Sequence, residues 1–145
     1  MPNKITTFQD EYRFLSNFYP VIFIYDGLYW PSAEHAYQAA KFPDITSKLH
    51  IQTLSTPAQA KKAGSKGKIS QDWNQRKAQV MLEICRAKFQ TPSLRDRLIA
   101  TDDAILEEGN YWRDTYWGIC PPNSGIGRNE LGKILMTLRT EFQAN

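Results

Sequence analysis

Cysteine is scarce in this chain. Of 145 residues only two are cysteines, Cys85 and Cys120, too few for a disulfide framework or a multi-cysteine zinc site. Histidine is equally sparse. His35 and His50 lack the spacing of a helical metal pair, and no H-E-x-x-H occurs. No run approaches the ~18 apolar residues of a membrane-spanning helix, and the N-terminus shows no charged-then-apolar leader pattern. Repeats, low-complexity tracts and linker-like stretches are missing too. Excess charge is small: 18 Lys and Arg against 15 Asp and Glu leave +3. That suits an anionic small molecule such as a phosphate ester and is too little to establish nucleic-acid binding. The expectation is a reduced, cytoplasmic protein with no metal and no membrane segment.

What is present predicts one α+β domain over residues 1–145, mostly helical, with a small antiparallel sheet near the N-terminus. V-I-F-I-Y and L-Y-W flank Asp26-Gly27, the pairing expected of a two-residue hairpin turn. Pro31 and Ser32 open a helix with Ser32 as N-cap and Glu34 in its first turn. Further helices are expected over Thr46 to Leu54, from Pro57 to about Gly64, over Asp72 to Phe89, and from Pro92. Ala104 to Leu106 reads as a short strand. The last helix, Asn129 to Phe142, carries Leu131, Ile134, Leu135, Leu138 and Phe142 as a plain core stripe.

Four segments could carry chemistry. In W-P-S-A-E-H-A-Y-Q-A-A-K-F, helical geometry puts Glu34, Tyr37, Gln38 and Lys41 within an arc of about 100°, with Glu34 and Lys41 separated by about 10.5 Å along the axis. This is either an ordinary solvated face or the wall of a site with room for a ligand between the two charges. In F-L-S-N-F-Y-P, Asn17 serves a turn or, with Phe18, lines a pocket. In G-N-Y-W-R-D-T-Y-W-G, Trp112 and Tyr116 are expected in the core, while Trp117 and Asp114 offer a stacking platform beside a carboxylate. In G-I-G-R-N-E-L-G, free N–H groups at a helix start, with Arg128, could take a phosphate, or the glycines merely begin the helix. The K-K-A-G-S-K-G-K stretch, Lys61 to Lys68, is a second possible anion site, but lysines complementing a helix C-terminus that Gly64 caps explain it better.

The order of these motifs, F-L-S-N-F-Y-P, E-H-A-Y-Q-A-A-K-F, R-A-K-F, D-x-x-W-G and G-x-N-x-L-G-x-x-L-M, closely resembles the NADAR (YbiA-like) family from about Phe14 to Arg139. The resemblance implies an N-glycosidase on a largely helical α+β fold. Its substrates would be phosphoribosylamino-pyrimidines of the riboflavin pathway, or ADP-ribosylated guanine in nucleotides or DNA. The alternative is a non-catalytic module that binds ADP-ribose or a related nucleotide. It implies Glu34, Lys41 and Asp114 as catalytic residues, with Asn17, Phe18, Tyr37, Trp117, Gly118, Arg128 and Asn129 binding substrate. No cofactor is implied, because water is the nucleophile. Cys120 stands where relatives usually carry glycine, which alters the loop after Trp117-Gly118.

Overall fold

The computed structural model describes residues 2–145. Its contacts divide the chain into two units, residues 17–88 and the flanking segments up to Ser16 and from Phe89 onward. The α+β class holds.

In residues 17–88, strands β1 (Phe23–Tyr25) and β2 (Leu28–Trp30) form the expected antiparallel hairpin. Asp26 and Gly27 both take positive φ, 54° and 77°, as a type I′ turn requires. Alternation decides its faces. Phe23 and Trp30 pair on the buried side, and Ile24 and Tyr29 pair on the exposed side. Helix α1 (Ala33–Ala40) follows, capped by Ser32 Oγ, which accepts the His35 N–H at 3.1 Å. Asp44 caps α2 (Ile45–Gln52), and a reciprocal Thr56–Gln59 capping box opens α3 (Pro57–Gly64). Helix α4 (Trp73–Lys88) completes the unit. Helices α2, α3 and α4 all pack against α1.

Gly64 is not the cap of α3. It is the last helical residue, and Ser65 closes the helix in a right-handed conformation. A Cβ on Gly64 would collide with Gln38 Oε1, so close approach of α1, not backbone freedom, explains this glycine. Lys61 and Lys62 do occupy the last turn of α3, as the dipole favours.

In the other unit, β3 (Lys4–Ile5) pairs in parallel with β4 (Ile105–Leu106). A 3₁₀ turn covers Asp10–Leu15, and helices α5 (Pro92–Ile99) and α6 (Glu130–Gln143) pack on each other. The β3 strand and the 3₁₀ turn have no sequence counterpart, being too short for a readable period. Leu131, Leu135, Leu138 and Phe142 are buried along α6, while Ile134 is only half-buried. Buried Arg139 shares that side, donating to Thr101 Oγ1 (2.9 Å) and the Ala104 carbonyl (2.8 Å).

Candidate active site

The polar arc of α1 is not a solvated face. Glu34, Tyr37 and Gln38 are only 7%, 7% and 4% exposed. Ala33, Ala36 and Ala39 are buried around the same helix, and their small side chains let neighbouring helices close in. Burying a carboxylate is costly unless it is hydrogen-bonded. Gln38, one turn on, donates from Nε2 to Glu34 Oε2 at 2.5 Å, and its Oε1 rests against Gly64 of α3. A glycine in α3 thus fixes a glutamine in α1, which fixes the carboxylate.

Other bonds hold the start of α1. The Glu34 N–H donates to the Asn17 carbonyl at 3.0 Å, placing the S-N-F segment at the helix entry. The Asn17 side chain donates to Met81 Sδ at 3.3 Å, a weak acceptor, and its buried Oδ1 accepts from no protein group. Phe18 follows, half-buried. His35 is buried between Ser32 Oγ (2.7 Å from Nδ1) and the Leu54 carbonyl (2.9 Å from Nε2). A carbonyl only accepts, so Nε2 carries the proton and Nδ1 accepts from the serine hydroxyl. Burial lowers the His35 pKa, partly offset by the Leu54 bond.

Lys41 is the C-cap of α1 and half-buried. Its Nζ lies 5.5 Å from the Tyr37 ring centre, and that ring meets Trp73 at 5.3 Å. Burial lowers its pKa; the Glu34 charge opposes the shift, and Lys61 and Lys77 add to it. A carboxylate and an amine of altered basicity therefore share one helix face.

The D-x-x-W-G segment is organised differently. Buried Asn110 accepts the N–H groups of Trp112 (3.2 Å) and Asp114 (3.1 Å), and donates to the Asp114 carbonyl (2.9 Å) and Glu108 Oε2 (2.9 Å). Asp114 Oδ1 in turn accepts the N–H groups of Tyr116 (3.1 Å) and Trp117 (2.9 Å). This scaffold turns the chain without burying its aromatics. Trp112 is 56% exposed, which corrects its expected place in the core, and Tyr116 is half-buried, edge-on to Trp117 at 4.7 Å. Gly118 is required because a Cβ there would strike Glu108.

At the entry to α6 four backbone donors are already bonded within the protein. The N–H groups of Arg128, Asn129, Glu130 and Leu131 donate to the carbonyls of Thr115 (2.7 Å), Gly118 (3.3 Å), Tyr116 (3.0 Å) and Trp117 (3.0 Å). Donors spent on carbonyls are not free to cradle an anion, which favours reading these four positions as a helix start. Arg128 lies 4.7 Å over the Tyr116 ring and pairs with Glu130 at 3.0 Å. Asn129, buried at φ 53°, donates to the Leu106 carbonyl (2.9 Å) and accepts the Glu108 N–H (3.0 Å). It staples β4 to the start of α6.

Three features escaped sequence reasoning. Gln38 lies in the arc, but its spacing alone assigns it no role. Asn110 left no signal, because its partners are set by the loop path. Lys88 is fully buried, 5.9 Å from the Tyr19 ring centre, and burial pushes its pKa down to about 8. That lysine was findable: it continues the buried Met81, Ile84, Cys85 spacing of α4. A cavity of about 620 Å³ between α2 and α3 is bounded by Phe42, Ile51 and Leu54 and contains none of the expected site residues. No helix among the described residues is long and apolar enough to cross a membrane.

Fold and site together define a small helical α+β protein with a clamped, buried carboxylate beside a half-buried lysine. Residues 5–143 match the NADAR domain, and the chain belongs to that family. Similar proteins include N-glycosidase YbiA of Escherichia coli strain K12, 39% identical over 136 residues covering 92% of this chain and 83% of that protein. A Nostoc punctiforme N-glycosidase is 36% identical over 138 residues, 91% of this chain and 86% of that protein. A riboflavin biosynthesis protein of Vibrio vulnificus is 39% identical over 137 residues; the match covers 92% of this chain and 36% of the Vibrio protein's length. The NMR structure of E. coli YbiA superposes with a TM-score of 0.85 at 35% identity, over 99% of this chain and 88% of that one. With these relatives the chain is assigned to the N-glycosidases, hydrolases of N-glycosyl bonds.

Proposed function

We propose that the enzyme hydrolyses the bond between ribose C1 and an exocyclic nitrogen of a nucleobase, in a substrate bearing phosphate on the ribose. Phosphoribosylamino-pyrimidines and ADP-ribosylated guanine, free or in DNA, are the two substrate classes with that chemistry. The observation that carries the reading is the Glu34 carboxylate, buried, clamped by Gln38 and charge-coupled to Lys41.

Cleavage moves the C1–N electron pair onto the nitrogen, which takes up a proton, while a water oxygen bonds to C1 and loses one. The sugar becomes oxocarbenium-like in between, so a fixed carboxylate near C1 stabilises the transition state more than the ground state. Glu34 fills that role and accepts the water proton. Lys41, its basicity reduced by burial, favours ionised Glu34 and supplies a cation or proton to the departing base. The family resemblance assigns Asp114 to the ribose hydroxyls or to general acid, and its Oδ1 sets the turn that carries Trp117 and Gly118. Trp117 stacks on the base. Asn17 offers its unpartnered Oδ1 to a substrate donor, with Phe18 and Tyr37 as apolar walls. Asn129 ties Leu106 and Glu108 to the start of α6, and Arg128 lies over the Tyr116 ring beside Trp117.

The test is a panel assay with product masses, offering phosphoribosylamino-pyrimidines, ADP-ribosylated GMP and ADP-ribosylated DNA. Release of free base with ribose phosphate or ADP-ribose supports the reading and selects the class. Tight ADP-ribose binding without turnover of any member would establish the binding module instead.

A further inference from the structure

A phosphorylated substrate needs an anion subsite, and at the start of α6 the N–H groups of residues 128–131 are already bonded to carbonyls. We propose that Lys61 of α3 and Lys77 of α4 join Lys41 to form the subsite for the substrate's phosphate. The inference rests on the hydrolase reading above and identifies where its anionic group is held.

Helical spacing places the three amines. Gly64 of α3 touches Gln38 of α1, and Lys61 lies three residues earlier, on the same side of α3 one turn away. Trp73 of α4 packs on Tyr37 of α1 at 5.3 Å, and Lys77 lies four residues later, on the same side of α4. Both lysines therefore project from helix faces that look at α1, toward the end where Lys41 sits over Tyr37. Electrostatics agree: Lys41 feels Lys61, Lys77 and, with opposite sign, Glu34. Nearby Asp72 is paired with Arg76 at 3.1 Å.

Lys41, Lys61 and Lys77 bring three positive charges near Glu34, the one carboxylate that Lys41 feels. A phosphate monoester dianion complements such a set, and each ammonium can donate a charge-assisted hydrogen bond to its oxygens. The carboxylate that faces C1 and the amines that hold the phosphate would lie along one substrate. A half-buried Lys41 beside two like charges also gains most from an anion, since the anion offsets both burial and repulsion.

Inorganic pyrophosphate, titrated calorimetrically into the full chain, tests this without requiring turnover. Lys61→Met/Lys77→Met should weaken its affinity by about tenfold or more, while exposed Lys66→Met should leave it within about twofold. The single variants Lys61→Met and Lys77→Met serve if the double variant does not fold. For a substrate that is turned over, KM of the phosphorylated form should rise about tenfold with kcat nearly unchanged, and the dephosphorylated form should be indifferent. Equal pyrophosphate affinity in wild type and variants, or no binding by wild type, overturns the subsite. Lysine-dependent binding with no N-riboside turned over leaves the subsite standing and overturns the hydrolase reading.

Discussion

Helix α1 and the Asn110–Leu131 segment are similarly rich in polar and aromatic residues, yet spend them in opposite ways. On α1 the backbone is satisfied by the helix itself, so Glu34 and Gln38 bond to each other, and the carboxylate and Lys41 keep their chemistry. Between Asn110 and Leu131 little backbone is in regular structure. Asn110, Asp114 and Asn129 consequently use side-chain oxygens and amides to bond main-chain groups. A polar side chain on a regular element is available for reaction, whereas the same side chain in a tight loop is first claimed by the backbone.

Substitutions on each side break this comparison in different observables. Asn129→Ala removes two bonds to the backbone at Leu106 and Glu108 and leaves those groups buried, an expected cost of ~2–4 kcal/mol in urea unfolding. Per folded molecule, its kcat should fall less than that of Gly64→Ala. Gly64→Ala forces Gln38 off Glu34 by steric collision. It should lower kcat roughly tenfold while destabilising the fold by ~1–3 kcal/mol; unchanged kcat would show that the clamp is dispensable. The smallest effect concerns His35. Burial holds its pKa below the unfolded value of 6.5, so the unfolded chain binds the extra proton first. The His35 contribution is present above about pH 6.5 and is lost as pH falls through the lowered pKa. Urea midpoints of wild type at pH 7.5 and 5.5 should differ in that direction, and His35→Gln should reduce the difference.

Local chemistry was legible and non-local occupancy was not. Asp26-Gly27, Ser32 and the Pro57 start of α3 announced their structures because each acts within a few residues. The pair β3–β4 was invisible: two residues a hundred positions apart carry no period. The polar arc of α1 was located correctly, but a polar stripe looks the same whether water or three helices cover it. The distinguishing mark was alanine on several sides of the helix, 33, 36 and 39. At α6 the glycine-rich entry suggested free donors, and only the fold reveals that carbonyls 115–118 have taken them. A glycine at the end of a helix reads as a cap, but the requirement that fixes Gly64 comes from Gln38 in another helix.

In the proposed function the Glu34 carboxylate performs the chemistry. Its most direct test is the single-turnover rate of base release by Glu34→Gln, an isosteric change that keeps a side chain able to bond Gln38. A fall of about 10²–10⁴-fold is expected, with an unfolding midpoint close to wild type. A variant that is folded and releases base at the wild-type rate would contradict it.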